Sequence, residues 1–148
     1  MPLLDEKSIA MRKSISAIIH QFRKADTESC VGLHFTLNVP EVHVIEFLGD
    51  TGSHMMRELA EYLLVAVNSM TNIVDNLEKK GFARRVRSAE DRRIIQVELT
   101  DEGNRVYHDI VSEELRLCRQ MLGTLTADEQ DIFMVLMRKI ARGGKEVA

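Results

Sequence analysis

The stretch Asn68–Thr100, NSMTNIVDNLEKKGFARRVRSAEDRRIIQVELT, contains two hydrophobic patterns that predict two kinds of secondary structure. In its first half apolar residues recur at helical spacing, and Gly81 follows where a left-handed residue commonly ends a helix. The second half contains two short segments of β-branched, alternating residues, Phe82–Ser88 and Ile94–Leu99, joined by a charged turn. This order predicts a helix over Asn68–Lys80 followed by a β-hairpin.

The predicted helix has one apolar face and one face of short, nearly uncharged polar side chains, which are Asn68, Ser69, Thr71, Asn72, Asp75 and Asn76. Its apolar stripe consists of Met70, Ile73, Val74 and Leu77. Short polar groups can donate and accept hydrogen bonds at base edges in a major groove, which admits one α-helix. A helix face that is only solvated more often carries Lys and Glu, and these occur here only at the C-terminal end. The residues predicted to meet bases are Asn68, Ser69, Thr71 and Asn72.

Basic residues are concentrated in the hairpin, although the chain as a whole is acidic. The 148 residues carry a net charge of −3. The segment Lys79–Arg93 has seven basic and two acidic residues, so it carries +5 and the rest of the chain carries −8. A local basic stripe on an acidic protein indicates a surface for a polyanion. The alternative is an edge hairpin that its charges merely keep soluble.

The turn of the hairpin carries Arg92 and Arg93, and Arg87 lies close by on the first strand. An Arg side chain on a narrow protrusion can enter a minor groove, where the negative potential is strong. Asp91 alone would repel DNA, but it can pair with a neighbouring Arg and fix its direction. The hairpin is therefore predicted to contact DNA.

Helices are predicted on both sides of this unit, because apolar residues recur at helical spacing and polar residues mark where the segments begin. They cover Asp5–Lys24, Asn38 to Leu48, His54–Leu63 with Ser53 as its cap, Thr100 to Leu122, and Thr126 to Arg142, with a break over Ala25–Leu37. The outer helices carry the wide apolar stripes Ile15, Ile18, Ile19 and Phe22, and Ile132, Phe133, Leu136, Met137 and Ile140. A small winged domain cannot cover both stripes, so we expect a homodimer to bury them.

The composition suits packed helices. Apolar residues make up 45% of the chain and charged residues 29%, whereas aromatic residues make up only 5% and Trp is absent. We predict a mainly α fold with a small β-hairpin wing. Residues 38–100 are predicted to form a winged helix-turn-helix DNA-binding domain, and residues 1–37 and 101–148 a helical dimerisation region.

Several classes of protein are disfavoured. No glycine-rich phosphate loop, HExxH or Gly-x-Ser-x-Gly motif occurs, so we expect neither enzymatic activity nor a cofactor. No apolar run has the roughly 18 residues of a membrane span, and the N-terminus does not resemble a signal peptide. Cys30 and Cys118 make no disulfide framework, which favours a cytoplasmic protein. Cys118 is expected to be a small core residue.

The quoted stretch, continued to Gly103, resembles the MarR/SlyA family of winged-helix regulators, most strongly over about Val42–Gly103. The wing signature of that family is D-x-R, five residues, then L-T. It is met by Asp91, Arg93, Leu99 and Thr100. The resemblance implies a transcriptional regulator, usually a repressor, that binds a pseudo-palindromic operator as a homodimer.

The resemblance also assigns roles to single residues. Ser69, Thr71 and Asn72 match major-groove contacts, and Arg93 matches the wing Arg at the minor groove, braced by Asp91. Arg85 matches an Arg in the pattern of the first wing strand. The family often has a basic residue at Asn72 and Gly or a small polar residue at Leu64, so the operator sequence stays open. The predicted DNA-binding residues are Asn68, Ser69, Thr71, Asn72, Arg85, Arg87, Asp91, Arg92 and Arg93.

What such a regulator senses is left open by the sequence. The resemblance implies a small-molecule effector pocket, for which the candidate residues are Phe22, Leu33, Phe35, Val44 and Met55; core packing is the alternative. A zinc-responsive regulator is a further alternative, with Cys30, His34, His43 and His108 as candidate ligands. No basic residue flanks Cys30 closely enough to favour a redox role. A winged-helix protein–protein interaction module is another alternative to DNA binding.

Overall fold

The computed structural model describes the backbone of residues 2–29 and 36–146 and the side chains of residues 3–21 and 36–143. It confirms a mainly helical fold with one antiparallel hairpin. The elements are α1 (Pro2–Ser29), α2 (Val39–Thr51), α3 (Met56–Leu63), α4 (Val67–Lys79), β1 (Ala83–Arg87), β2 (Ile95–Leu99), α5 (Asp101–Gly123) and α6 (Ala127–Glu146).

Two outer helices are longer than the sequence pattern predicts. Helix α1 begins at Pro2 and ends at Ser29, so it includes the first five residues of the predicted break Ala25–Leu37. Helix α6 continues four residues past Arg142. An apolar stripe marks only the part of a helix with an amphipathic pattern, so it underestimates the length of a helix whose ends are polar. Phe22 lies in α1, but its side chain is outside the described residues.

A capping box begins α2, as predicted. The Asn38 side chain accepts a hydrogen bond from the Glu41 amide at 2.9 Å, and the Glu41 carboxylate accepts one from the Asn38 amide at 3.1 Å. Glu41 is only 1% exposed, and Lys80 Nζ lies 2.6 Å from its Oε2 atom. Lys80 also donates to the Thr36 carbonyl. This cation therefore pairs the buried carboxylate and fastens the end of α4 to the start of α2.

The prediction that Ser53 caps α3 is wrong. Helix α3 begins at Met56 after Met55, which makes no side-chain capping bond. Ser53 Oγ instead lies 3.4 Å from Glu98 Oε2, and His54 pairs with Val97 of β2 through backbone hydrogen bonds of 3.1 and 2.7 Å. The segment before α3 therefore forms an isolated antiparallel β-bridge to the wing, and the helix begins only after it, at Met56.

The core lies beneath the helix-turn-helix and the wing. The hairpin pairs Ala83 with Leu99 and Arg87 with Ile95, which directs Val97 and Leu99 inward. From α4 the fully buried side chains are Met70, Val74 and Leu77, whereas Ile73 is half-buried. The other buried apolar residues are Val44, Ile45, Leu48, Leu59, Ala60, Ala83, Val106 and Ile110. The polar side of α4 consequently faces away from the protein.

The chain divides into two compact units, residues 1–110 and 111–148. In the second unit Gln130 Nε2 donates to the carbonyls of Leu122 and Leu125 at 3.0 and 3.1 Å, which fixes the turn between its two helical segments. None of the described side chains from 111 to 143 is buried. Cys118 is exposed, so the prediction of a core position for it is wrong, because the buried core of the described chain ends at Ile110.

The apolar stripes of the outer helices are exposed in the single chain. They include Ile15, Ile18 and Ile19 in α1 and Ile132, Leu136, Met137 and Ile140 in α6. Within the described residues, no helix is both long enough and apolar enough to cross a bilayer.

Candidate nucleic-acid interface

The outer face of α4 is open. Asn68, Ser69 and Asn72 are exposed, and among the described residues none of their side chains has a hydrogen-bond partner. Thr71 is half-buried and donates its hydroxyl proton to the Val67 carbonyl at 3.0 Å. The three open side chains keep donors and acceptors for an external ligand, while Thr71 presents a methyl group and an oxygen that can accept.

The wing tip has a defined shape. Ser88 and Ile94 close it through a backbone hydrogen bond of 2.8 Å, and Arg87 donates to the Arg92 carbonyl at 3.0 Å. Asp91 Oδ1 accepts from the backbone amide of Arg93 at 3.0 Å and from its Nε atom at 3.3 Å. The bracing contact implied by the resemblance is therefore present. The Arg93 side chain is 92% exposed, so the brace directs it without covering it.

Arg85 points back toward the helix. Its Nη2 atom lies 2.8 Å from Asp75 Oδ1, and its Nη1 atom also pairs with Glu78, both on α4. One guanidinium thus offsets two carboxylates beside the polar face and joins the wing to α4. Arg84 likewise pairs with its cross-strand neighbour Glu98 at 2.7 Å. These two arginines belong to internal ion pairs, unlike the outward-directed Arg93.

His54 connects three elements at the base of the wing. Its ring stacks on Phe47 with centroids 4.6 Å apart, and its Nδ1 atom lies 2.5 Å from Glu58 Oε2. Its Nε2 atom lies 2.7 Å from Thr51 Oγ1. The Thr51 hydroxyl already donates to the Phe47 carbonyl at 2.6 Å, so it accepts from His54. The His54 ring therefore joins Thr51 of α2 to Glu58 of α3.

The stability of this junction should depend on pH through Glu58. The hydrogen bond from His54 lowers the pKa of the Glu58 carboxyl below its usual value of 4.5. A carboxyl group whose pKa is lower in the folded state stabilises the protein above its unfolded pKa, and the contribution is lost as pH falls through the folded pKa. Wild type should therefore be more stable than Glu58→Gln at pH 7, and the difference should shrink below about pH 4.5. Urea denaturation of both proteins from pH 7 to pH 3 measures it; parallel curves across that range would contradict the assignment.

The alternative sensing sites find little support within the described residues. There, no group of three or more His, Cys, Asp or Glu side chains is placed to hold a metal ion. His43 and His108 are exposed, and Cys30 and His34 lie outside the described residues.

Of the candidate pocket residues, Val44 belongs to the core and Met55 is half-buried beside α3. Leu33, Phe35 and the Phe22 side chain lie outside the described residues, so the pocket stays a prediction.

Three features of this region have no signal in the sequence pattern. The His54 bridge is too short to show strand alternation, and the Lys80–Glu41 pair joins residues 39 positions apart. Leu64 occupies the left-handed region at φ 56°, where an apolar side chain is not expected. The sequence contains many acidic and basic residues that could pair, and it does not indicate that Lys80 pairs with Glu41.

A helix-turn-helix over α3 and α4, followed directly by a two-stranded wing, defines a winged helix-turn-helix protein. The family model described as "MarR family" matches residues 37–95. The uncharacterized HTH-type transcriptional regulator YkoM of Bacillus subtilis is 34% identical over 103 residues, covering 69% of this chain and 66% of that protein. The HTH-type transcriptional repressor MdtR of B. subtilis is 30% identical over 89 residues, covering 60% and 57%. The chain belongs to the MarR family of transcriptional regulators.

Solved structures agree with this fold. Streptococcus pneumoniae FabT, crystallised in complex with DNA, superposes with a TM-score of 0.79 over 94% of this chain and 98% of that one. The identity is 18%, so this likeness concerns the fold.

Proposed function

We propose that the protein represses transcription by binding a pseudo-palindromic duplex DNA operator as a homodimer. One observation carries this proposal: the open polar face of α4 lies on the same unit as a wing whose Arg93 side chain is 92% exposed. The helix supplies groups that can bind base edges, and the wing supplies a cation for the minor groove. Two similar proteins support this proposal: FabT was crystallised in complex with DNA, and MdtR is a transcriptional repressor.

The internal ion pairs refine which residues we assign to DNA. Arg85 offsets Asp75 and Glu78, so we propose that it positions the wing and removes negative charge from the DNA-facing side. Asp91 acts by directing Arg93. Direct contacts are then proposed for Asn68, Ser69, Thr71 and Asn72 in the major groove and for Arg87, Arg92 and Arg93 at the wing.

Dimerisation is proposed from the exposed stripes of the outer helices. Burying apolar residues of α1 and α6 against a second copy would remove them from water and give the protein a two-fold axis. Two recognition helices would then meet half-sites about one helical turn, ~34–36 Å, apart. The proposal includes response to a small-molecule effector, which the sequence resemblance implies.

A mobility-shift titration tests the proposal directly. The probe is duplex DNA from the protein's own promoter region, with a scrambled duplex of equal length as the control. We expect a specific complex whose affinity falls steeply as salt rises from 50 to 200 mM, because phosphate contacts release counterions. No salt-sensitive complex with either duplex would overturn DNA binding and favour a protein–protein interaction module.

Mutations in the helix and in the wing should change DNA binding in different ways. Arg93→Ala removes a cation without a base partner, so it should weaken binding uniformly across operator variants and reduce the salt slope by about 1. Asn72→Ala should change affinity by about 1–3 kcal/mol at one base-pair position and leave the salt slope unchanged. Titrations of both variants against single-base-pair operator substitutions measure this, and an equal, uniform loss from both would contradict the division of roles.

A further inference from the structure

Exposed apolar side chains lie at the start of helix α4 and just before it. Leu64 is 88% exposed, Val65 37% and Val67 47%. None of these three described residues belongs to the buried core. We call Leu64, Val65 and Val67 the apolar edge.

Leu64 has two features that are unfavourable in the single chain: its backbone conformation and its exposed apolar side chain. Its φ and ψ of 56° and 42° are left-handed, a conformation that a side chain with a Cβ atom disfavours because the Cβ atom lies too close to the following carbonyl oxygen. Its side chain also exposes more apolar surface than a polar residue would. Its amide donates to carbonyls of α3, a contact that Gly or Asn would make equally well. Strain and exposure together at one position indicate a role outside folding.

The apolar edge is continuous with the face proposed to meet bases. Val67 is the first residue of α4, and it lies one turn before Thr71 on the same side of the helix. From Leu64 to Val74 no residue is charged. The edge would therefore enter the groove together with the polar side chains, without charge repulsion.

Only one chemical group in a major groove matches such a surface. The C5-methyl group of thymine is the apolar feature that distinguishes one base pair from another there. A protein partner fits less well, because three side chains supply far less than the ~800 Å² per partner that a stable interface buries. We propose that Val67 recognises a thymine methyl in each half-site and that Leu64 shields this contact from water. The inference rests on the proposed DNA-binding function.

Replacing thymine by uracil tests this without changing the protein. A duplex is first selected from a random library by wild-type protein, and each thymine of the half-sites is then replaced in turn by uracil, which removes only the methyl group. At one position per half-site we expect affinity to fall about fourfold, the value of one buried methyl group. Equal affinity for all thymine and uracil duplexes would overturn the inference while leaving DNA binding intact. Failure to select any duplex would instead count against the proposed function.

Protein variants assign the effect to the edge. Val67→Ala should bind the thymine and uracil duplexes within twofold of each other. Val39→Ala is the matched control, because Val39 is the exposed first residue of α2, and it should keep the discrimination. Leu64→Asn should keep or raise Tm, since Asn tolerates the left-handed conformation, yet bind DNA more weakly. Discrimination that survives in Val67→Ala would overturn the assignment.

Discussion

Replacing Gly103 by Ala is expected to destabilise the protein by about 3 kcal/mol or more. A Cβ atom on Gly103 would lie 1.9 Å from the carbonyl oxygen of Phe82 and 2.9 Å from its carbonyl carbon. That carbonyl accepts from the Thr100 amide at 3.1 Å, and the Thr100 hydroxyl donates to the Gly81 carbonyl at 2.6 Å while accepting from the Gly103 amide at 3.0 Å. The first turn of α5 is thus bound to the entry of the wing, and no side chain can turn aside to relieve the clash.

Urea denaturation followed by circular dichroism measures this effect. Gly143→Ala is the matched control, because Gly143 lies in α6 and an added Cβ atom there meets nothing within 4 Å. That change should be neutral or stabilise the helix by up to about 1 kcal/mol. A Gly103→Ala variant as stable as the control would show that the backbone of the wing entry can shift at little cost.

Placing a charge on the exposed stripe of α6 is expected to break the proposed dimer. Leu136 lies between Ile132 and Ile140 at helical spacing, and all three side chains are exposed in the single chain. Glu at this position would require a carboxylate to be buried in an apolar interface. We expect Leu136→Glu to be a folded monomer. Its affinity for a two-site operator should fall by roughly a hundredfold or more, because the two half-sites are no longer bound by one linked molecule.

Light scattering after size exclusion measures the mass, and the mobility shift measures the affinity. Val39→Glu is the control, since it adds the same charge at an exposed apolar position outside the two outer helices. That variant should remain a dimer and bind DNA. A dimeric Leu136→Glu protein would contradict the placement of the interface, and a monomer that binds at wild-type affinity would contradict the need for two recognition helices.

Local features followed directly from the sequence. The capping box at Asn38, the Thr100 cap and the end of α4 at Gly81, whose φ is 81°, depend on residues a few positions apart. The hairpin strands agree with the alternation pattern to within one residue at all four ends. The wrong prediction for Ser53 has the same origin. Serine next to a helical pattern indicates an N-cap, but the adjacent His54 forms a β-bridge with Val97 of β2, a contact that depends on residues far away in the sequence.

By itself, the sequence determined that one helix has an apolar and a polar face and that a basic hairpin follows it, since periodicity and turn chemistry act over short distances. It could not determine which cations face outward. Arg84, Arg85 and Arg93 look alike along the chain, and only the folded protein brings Glu98, Asp75 and Glu78 to the first two. Partners 7 to 14 residues away are selected by the register of the hairpin and its packing on α4, which leaves Arg93 braced and exposed at the tip. The apolar edge arose in the same way, because exposure and a left-handed backbone are properties of the fold and not of the residue.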